Sequence, residues 1–301
     1  MCQQVGIGLA KNSARRDEVE LGVVLLLKKI AALGLALFMI SAADIANAQA
    51  PTNTLPEPTS EGTWKGPFGG IFSATFAFAT DYSYRGISQT QRQVAAQAAF
   101  GYETPSLLLG QDAALSAYLG GWGSNVNFPG TGTAAEVDLL AGFRLKALSE
   151  KLTFDLGYIR YNYLGAPANL YFDFNEFGLV AGYDFGVAQV SAAVRYSPNF
   201  FANSGNAWYK WGQIAVPLTF INFNENVTFK LFGTIGNQYV ERYQFYGIPY
   251  DNYWDWQVGL TVNVYGFDLT IAYVDTNIDI QGCLNTYNCE ARAIFTISKT
   301  F

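Results

Sequence analysis

Histidine is absent from all 301 residues. Hydrolases built on a Ser-His or Asp-His pair take their base from an imidazole, so the usual plans of lipases, acyltransferases and proteases are excluded. Charge is scarce as well, at 14% of residues against 50% hydrophobic and 16% aromatic, a poor fit to a soluble globular domain. Past residue 48 there is also no uninterrupted apolar run of about 18 residues, the length a bilayer-spanning helix needs. The apolar residues are spread along the chain rather than gathered.

The one concentrated apolar stretch lies near the start. Lys28 and Lys29 precede IAALGLALFMI (30–40) and then ANA (46–48), the basic, apolar and small-residue order of a cleaved targeting segment. Residues 1–48 are therefore expected to be a signal peptide, with an uncleaved anchor as the alternative. The 27 residues ahead of the basic pair exceed an ordinary n-region and point to an upstream start. Cys2 precedes the apolar run and so is not placed for lipidation behind it. Residues 49–67, rich in Pro, Thr and Glu, read as a disordered periplasmic lead-in, and 68–301 as the ordered domain. Without 1–48 the chain keeps 13 Lys+Arg against 20 Asp+Glu, a balance that excludes nucleic acid as a partner.

From Phe68 onward, segments of about ten residues alternate apolar with polar or small side chains. In WDWQVGLTVNV (254–264), Trp254, Trp256, Val258, Leu260, Val262 and Val264 share one face, opposite Asp255, Gln257, Gly259, Thr261 and Asn263. EVDLLAGFRLK (136–146) and FDLTIAYV (267–274) repeat the pattern. Period two is the signature of a strand with one face buried in apolar surroundings. Twelve such strands are expected, near 69–86, 93–103, 112–122, 134–147, 151–164, 170–185, 187–197, 207–220, 226–240, 251–264, 266–277 and 291–301. The links between them alternate in length. ALSEK, YDFGV, NFNEN and YGFD are brief, whereas GSNVNFPGTGTAAE, SPNFFANSGNA, VERYQFYGIPYDN and DTNIDIQGCLNTYNCE are long. TPSLLLGQD (104–112) is longer than its class.

Short turns at one end and long loops at the other describe an all-β, antiparallel up-and-down transmembrane barrel of about 12 strands in the cell outer membrane of a Gram-negative bacterium. Each unsatisfied backbone group in hydrocarbon costs several kcal/mol, so such a sheet must close. The last stretch, ARAIFTISKTF (291–301), is then expected to pair with the first strand near Phe72–Tyr84. A soluble sandwich or lipocalin-like barrel would turn the same apolar face inward. It would have to hide Trp254, Trp256, Phe267, Phe143 and Phe154 together, leaving outside a surface of Gly, Ala, Ser and Thr with few Lys.

The stretch ATDYSYRGISQTQRQVAAQAAFGYE (79–103) resembles the first hairpin of the TorF family of proteobacterial porins, which carries a similar S/T-D-Y-x-x-R-G-I-S-Q-T pattern. AYLGGWGSNVNF (117–128), EVDLLAGFR (136–144) and the terminal ISKTF extend the resemblance over roughly 72–301. The resemblance implies an outer-membrane barrel with a proposed pore role. Phe301 resembles the terminal aromatic that outer-membrane proteins present to the barrel-assembly machinery, with Lys299 where that signal usually has an apolar residue.

On the predicted inward face lie Asp81, Glu136, Asp138, Asp155, Glu176, Asp184, Asp255 and Asp268, together with Arg85, Arg144, Lys146, Arg195, Lys230 and Arg292, eight acids against six bases. They are candidates for a pore lining of weak cation preference, or for pairs that cross the interior and make it rigid. Asp81 and Arg85, four residues apart on one expected strand, are too distant for an easy same-strand bridge, so each is expected to pair with a neighbouring strand. Cys283 and Cys289 read as a local disulfide in an oxidising compartment. A metal site is the alternative, and the absence of His and the scarcity of nearby ligands weigh against it. YQFYGIPYDNYWDW (243–256) is either interface girdle and loop packing or a hydrophobic or sugar site at the mouth. No cofactor and no catalysis are expected. The expected partners are outer-membrane lipid, the assembly machinery and small hydrophilic solutes, and the alternative is a closed structural or surface-interaction barrel.

Overall fold

The computed structural model describes residues 64–221 and 223–301. The expected targeting segment and residues 49–63 of the lead-in lie outside them. Among the described residues twelve long strands follow one another: β1 (Ile71–Ala79), β2 (Ala95–Glu103), β3 (Ala113–Phe128), β4 (Thr133–Ala147), β5 (Leu152–Leu164), β6 (Phe174–Asp184), β7 (Gln189–Ser197), β8 (Ala207–Pro217), β9 (Val227–Val240), β10 (Asn252–Val264), β11 (Phe267–Thr276) and β12 (Arg292–Thr300). Each pairs antiparallel with the next. The ring closes where β12 returns to β1, from Thr300↔Thr75 to Thr296↔Ala79. Phe301 completes the seam: its backbone N–H donates to the Ala74 carbonyl at 2.8 Å, and the Ala74 N–H donates to the Phe301 carbonyl at 3.1 Å. The terminus is held because a closed sheet leaves no edge.

The alternation resolves into an outer and an inner face. On β4, Leu139 and Phe143 are 58% and 56% exposed, while their neighbours Asp138 and Arg144 are 0% and 2% exposed. Leu156, Val258 and Phe295 stand outward in the same way on β5, β10 and β12. So large a continuous apolar exterior is a surface for hydrocarbon rather than water. Strands of 9–16 residues meet or exceed the roughly 9–11 tilted residues a spanning strand needs. By the organisation of such barrels, the short turns are periplasmic and the long loops extracellular. The tightest periplasmic turn is Tyr265–Gly266, where both residues hold positive φ, 51° and 78°, as a two-residue type I′ hairpin requires.

Three places differ from the sequence expectation. Trp64 and Lys65, inside the expected lead-in, pair with Phe72 and Ile71. The expected long loop between β3 and β4 shrinks to Pro129–Gly132, because both strands run on past the membrane portion to Phe128 and Thr133. Most consequential, β1 stops at Ala79 rather than near residue 86. Asp81 and Arg85 therefore lie in the first extracellular loop, 80–94, rather than on a strand. That loop carries its own small hairpin, Ser83–Tyr84 against Ile87–Ser88. Arg85 and Gly86 form its turn with φ of 49° and 83°. Gly86 is required twice over, for its φ and because a Cβ there would collide with Thr276 and press on Asp255.

Candidate functional site: the barrel interior

The first loop folds into the barrel instead of away from it. Its base is fixed by Asp81: Oδ1 accepts from Ser88 Oγ at 2.6 Å and Thr90 Oγ1 at 2.7 Å, and Oδ2 accepts from Arg292 Nε at 2.5 Å. Arg292, on β12, also donates to the Gly86 carbonyl at 2.9 Å. One strand next to β1 thus clamps both limbs of the loop.

The tip reaches the opposite wall. One Arg85 nitrogen lies 2.6 Å from each carboxylate oxygen of Glu176 on β6, and another donates to Gln238 Oε1 on β9. The guanidinium also lies 4.2 Å from the centre of the Tyr209 ring and 4.6 Å from that of Tyr84. Burial alone would lower the Arg85 pKa. The Glu176 carboxylate, with Tyr84 and Tyr161 beside it, outweighs the burial and holds the pKa above its usual range. A buried pair of this kind loses about 3–5 kcal/mol when one partner is removed, because the other is left as an uncompensated buried charge.

Tyrosines extend this contact around the extracellular half of the interior. Tyr161 Oη donates to Glu176 at 3.0 Å, and Arg195 lies 3.7 Å from the same carboxylate. Tyr82 of the loop donates to Glu136 at 3.0 Å, and Tyr209 donates to Asp255 at 3.1 Å. Asp138 is fully buried beside Glu136, and its carboxylate oxygens accept no hydrogen bond among the described residues. A second network stands on the wall at the periplasmic end: Arg144 bridges Glu103 at 2.7 Å and Asp155 at 3.5 Å, and Tyr118 donates to Asp155 at 2.7 Å. Elsewhere the buried wall side chains include the uncharged Thr75, Gln257, Thr261, Thr270, Thr296 and Ser298.

Of the predicted inward-facing charges, Asp81, Arg85, Glu136, Asp138, Arg144, Asp155, Glu176, Arg195 and Asp255 are buried in the interior, and Arg292 is half-buried against Asp81. Lys146, Asp184, Lys230 and Asp268 are not buried with them: they sit half-buried at the periplasmic ends of β4, β6, β9 and β11. There Asp184 accepts from the Gly186 N–H at 2.6 Å and Asp268 from Asn263 Nδ2 at 2.8 Å. These turn contacts hold them away from the central clusters. Sequence reasoning passed over Glu103 at the very end of its strand and, by following charge, missed Gln238 and the donor tyrosines Tyr82, Tyr118, Tyr161 and Tyr209. The inward parity of Tyr161 with Asp155 on β5, and of Tyr209 with Ala207 on β8, was the available signal. Cys283 and Cys289 are bonded, S–S 1.97 Å, within the last extracellular loop. Among the described residues no group of acids, Cys or His could hold a metal ion.

A closed antiparallel barrel with an apolar exterior and a charged, polar interior is a transmembrane barrel of the outer membrane. Residues 63–301 match the family model Gcw_chp, a bacterial protein of unknown function, and the chain belongs to that family. No curated protein matches it in sequence. Solved structures that resemble it include the NanC porin, at 12% identity over 76% of this chain and 98% of that one, TM-score 0.40. They also include LpxR from Salmonella typhimurium, at 10% identity over 76% and 99%, TM-score 0.40. An outer-membrane channel from Pseudomonas putida F1 resembles it at 8% identity over 77% and 95%, TM-score 0.42.

Proposed function

We propose that the chain is an outer-membrane channel for passive diffusion of small hydrophilic solutes or ions, of the TorF kind, shut at its extracellular end by its own first loop. The observation that carries this reading is what does the closing. The Arg85 hairpin, a connection held by two sets of polar contacts, crosses the interior, while the wall below it carries Thr, Ser and Gln side chains and the Arg144 network. Loops are the mobile parts of a barrel, and withdrawal of this one would join the polar lower chamber to the outside. Six buried acids against three buried bases favour cations weakly. The reading assigns no catalysis, takes 1–48 as the cleaved signal peptide, and assigns Phe301 to recognition by the assembly machinery. Planar-bilayer recording tests it: the intact barrel should conduct rarely, and one lacking Ser83–Ser88 should give frequent steps with mild cation preference. A specific observation favours the second reading, a permanently closed structural or surface-interaction barrel. Tyr84, Tyr161, Phe174 and Phe200 form one buried cluster bridging loop and wall. Silence from both the intact and the shortened protein would select it.

A further inference from the structure

A cavity of about 400 Å³ lies at the extracellular mouth, bounded on one side by the first loop. We propose that it binds an uncharged, planar aromatic molecule with a hydrogen-bonding edge. Its volume falls within the range of about 300–1,000 Å³ that small-molecule pockets occupy. Its composition sets the chemistry: eight aromatic rings line it, and no charged side chain does. A charged ligand would lose its hydration there without gaining a partner.

The rings are already arranged as an aromatic would need. Phe172 and Phe201 stack at 4.3 Å and 17°, and Phe128 stands edge-on to both, at 83° and 89°. These are the offset and edge-to-face geometries that aromatic groups prefer, and a planar guest continues the array. Phe128, Phe172, Phe201 and Tyr246 are only half-buried, so the rings are reached from outside. Apart from the tyrosine hydroxyls, the polar side chains come from the first and last loops, which meet where the Ser88 N–H donates to the Asn288 carbonyl at 2.9 Å. Among them the Gln91 and Asn288 amides make no side-chain hydrogen bond among the described residues. Two neutral amides on one edge suit a ligand with a single polar edge. A sugar, polar all round, would leave most of its hydroxyls unsatisfied against the rings.

The site is held in shape before any ligand arrives. The Cys283–Cys289 bond fixes the last loop, and Ile248, Tyr253 and Ile278 pack against it. In the first loop Gln91 and Arg92 hold φ of 57° and 58°, a left-handed conformation that non-glycine residues adopt only where their surroundings impose it.

Binding at this mouth does not depend on conduction. It is tested by calorimetric titration of the folded, detergent-solubilised barrel with 4-hydroxybenzamide. We expect saturable binding, weakened at least tenfold for 4-hydroxybenzoate, the anion of matched size, and at least tenfold by Phe201→Ala. The lipid-facing Phe295→Ala should leave it unchanged. Should the Phe201 variant fail to fold, Gln91→Glu tests the same site by adding a carboxylate at the rim without removing a ring. Absence of saturable heat, equal binding of the anion, or unchanged affinity in the Phe201 and Gln91 variants overturns the proposal.

Discussion

Arg85→Ala should unlatch the first loop while leaving the barrel closed to lipid. The substitution removes the contact with Glu176 at 2.6 Å, the Gln238 bond and the Tyr209 stack. Breaking a buried pair costs about 3–5 kcal/mol. Glu176 keeps Tyr161 at 3.0 Å and Arg195 at 3.7 Å, so the lower end applies, about 3 kcal/mol. At roughly 1.4 kcal/mol per tenfold, the ratio of withdrawn to inserted loop rises about two orders of magnitude. The Asp81–Arg292 clamp keeps the loop base in place, so the strands stay paired. Single-channel recording reads the change as open probability, and limited proteolysis at Arg92 of an Arg85→Gln companion reads it as exposure. Adding Glu176→Gln to Arg85→Ala should cost less than the sum of the single changes, by about 0.5–3 kcal/mol, because the pair acts as a unit. Unchanged open probability together with an unchanged cleavage rate, in protein that still migrates by heat-dependent shift on a gel, would refute the latch.

Gly86→Ala should act in the same direction, since its Cβ meets Thr276 and its φ is 83°; cleavage of the loop no faster than in the parent would count against the packed turn. Val258→Arg, on the lipid face of β10, should destabilise the barrel by about 2–4 kcal/mol if Val258 lies near the midplane, read as a lower urea midpoint for folding into liposomes; an unchanged midpoint would place Val258 away from hydrocarbon. Deleting Phe301 removes both backbone bonds to Ala74, so the folded fraction should fall, and undiminished assembly would show that the seam does not need its last residue. The backbone and side-chain N–H groups of Asn206 donate to Glu241 at 2.8 and 2.6 Å and hold its pKa below the usual glutamate value. This loop contact contributes above the ordinary pKa and is lost only as pH falls through the lower value, so the Asn206 amide shift should titrate with a midpoint under about 4.3; a midpoint at or above that would remove the contact.

Strands were legible because lipid on one side and a polar interior on the other write period two directly into residues such as Val137–Leu145 and Trp254–Val264. Twelve strands were expected, and twelve long strands are present among the described residues. The first loop was not legible, for a physical reason. The alternation of β1 continues through Asp81, Ser83 and Arg85, so no break marks Ala79, and the one local sign of a turn is the Arg85–Gly86 pair. What draws the loop inward lies 91 and 153 residues away, at Glu176 and Gln238, and pairing over such separations is invisible to local pattern. Asp184 and Asp268 have the parity of interior residues but sit beside turns whose backbone and Asn donors capture them. The cysteines, six residues apart in one polar stretch, needed only local geometry.

Spin labels at Val258 and Gln257 in the reconstituted barrel test the placement of the two faces most directly. The account predicts that the Val258 label collides freely with oxygen dissolved in the bilayer and that the adjacent Gln257 label does not. An oxygen-accessible Gln257 beside a shielded Val258 would contradict it.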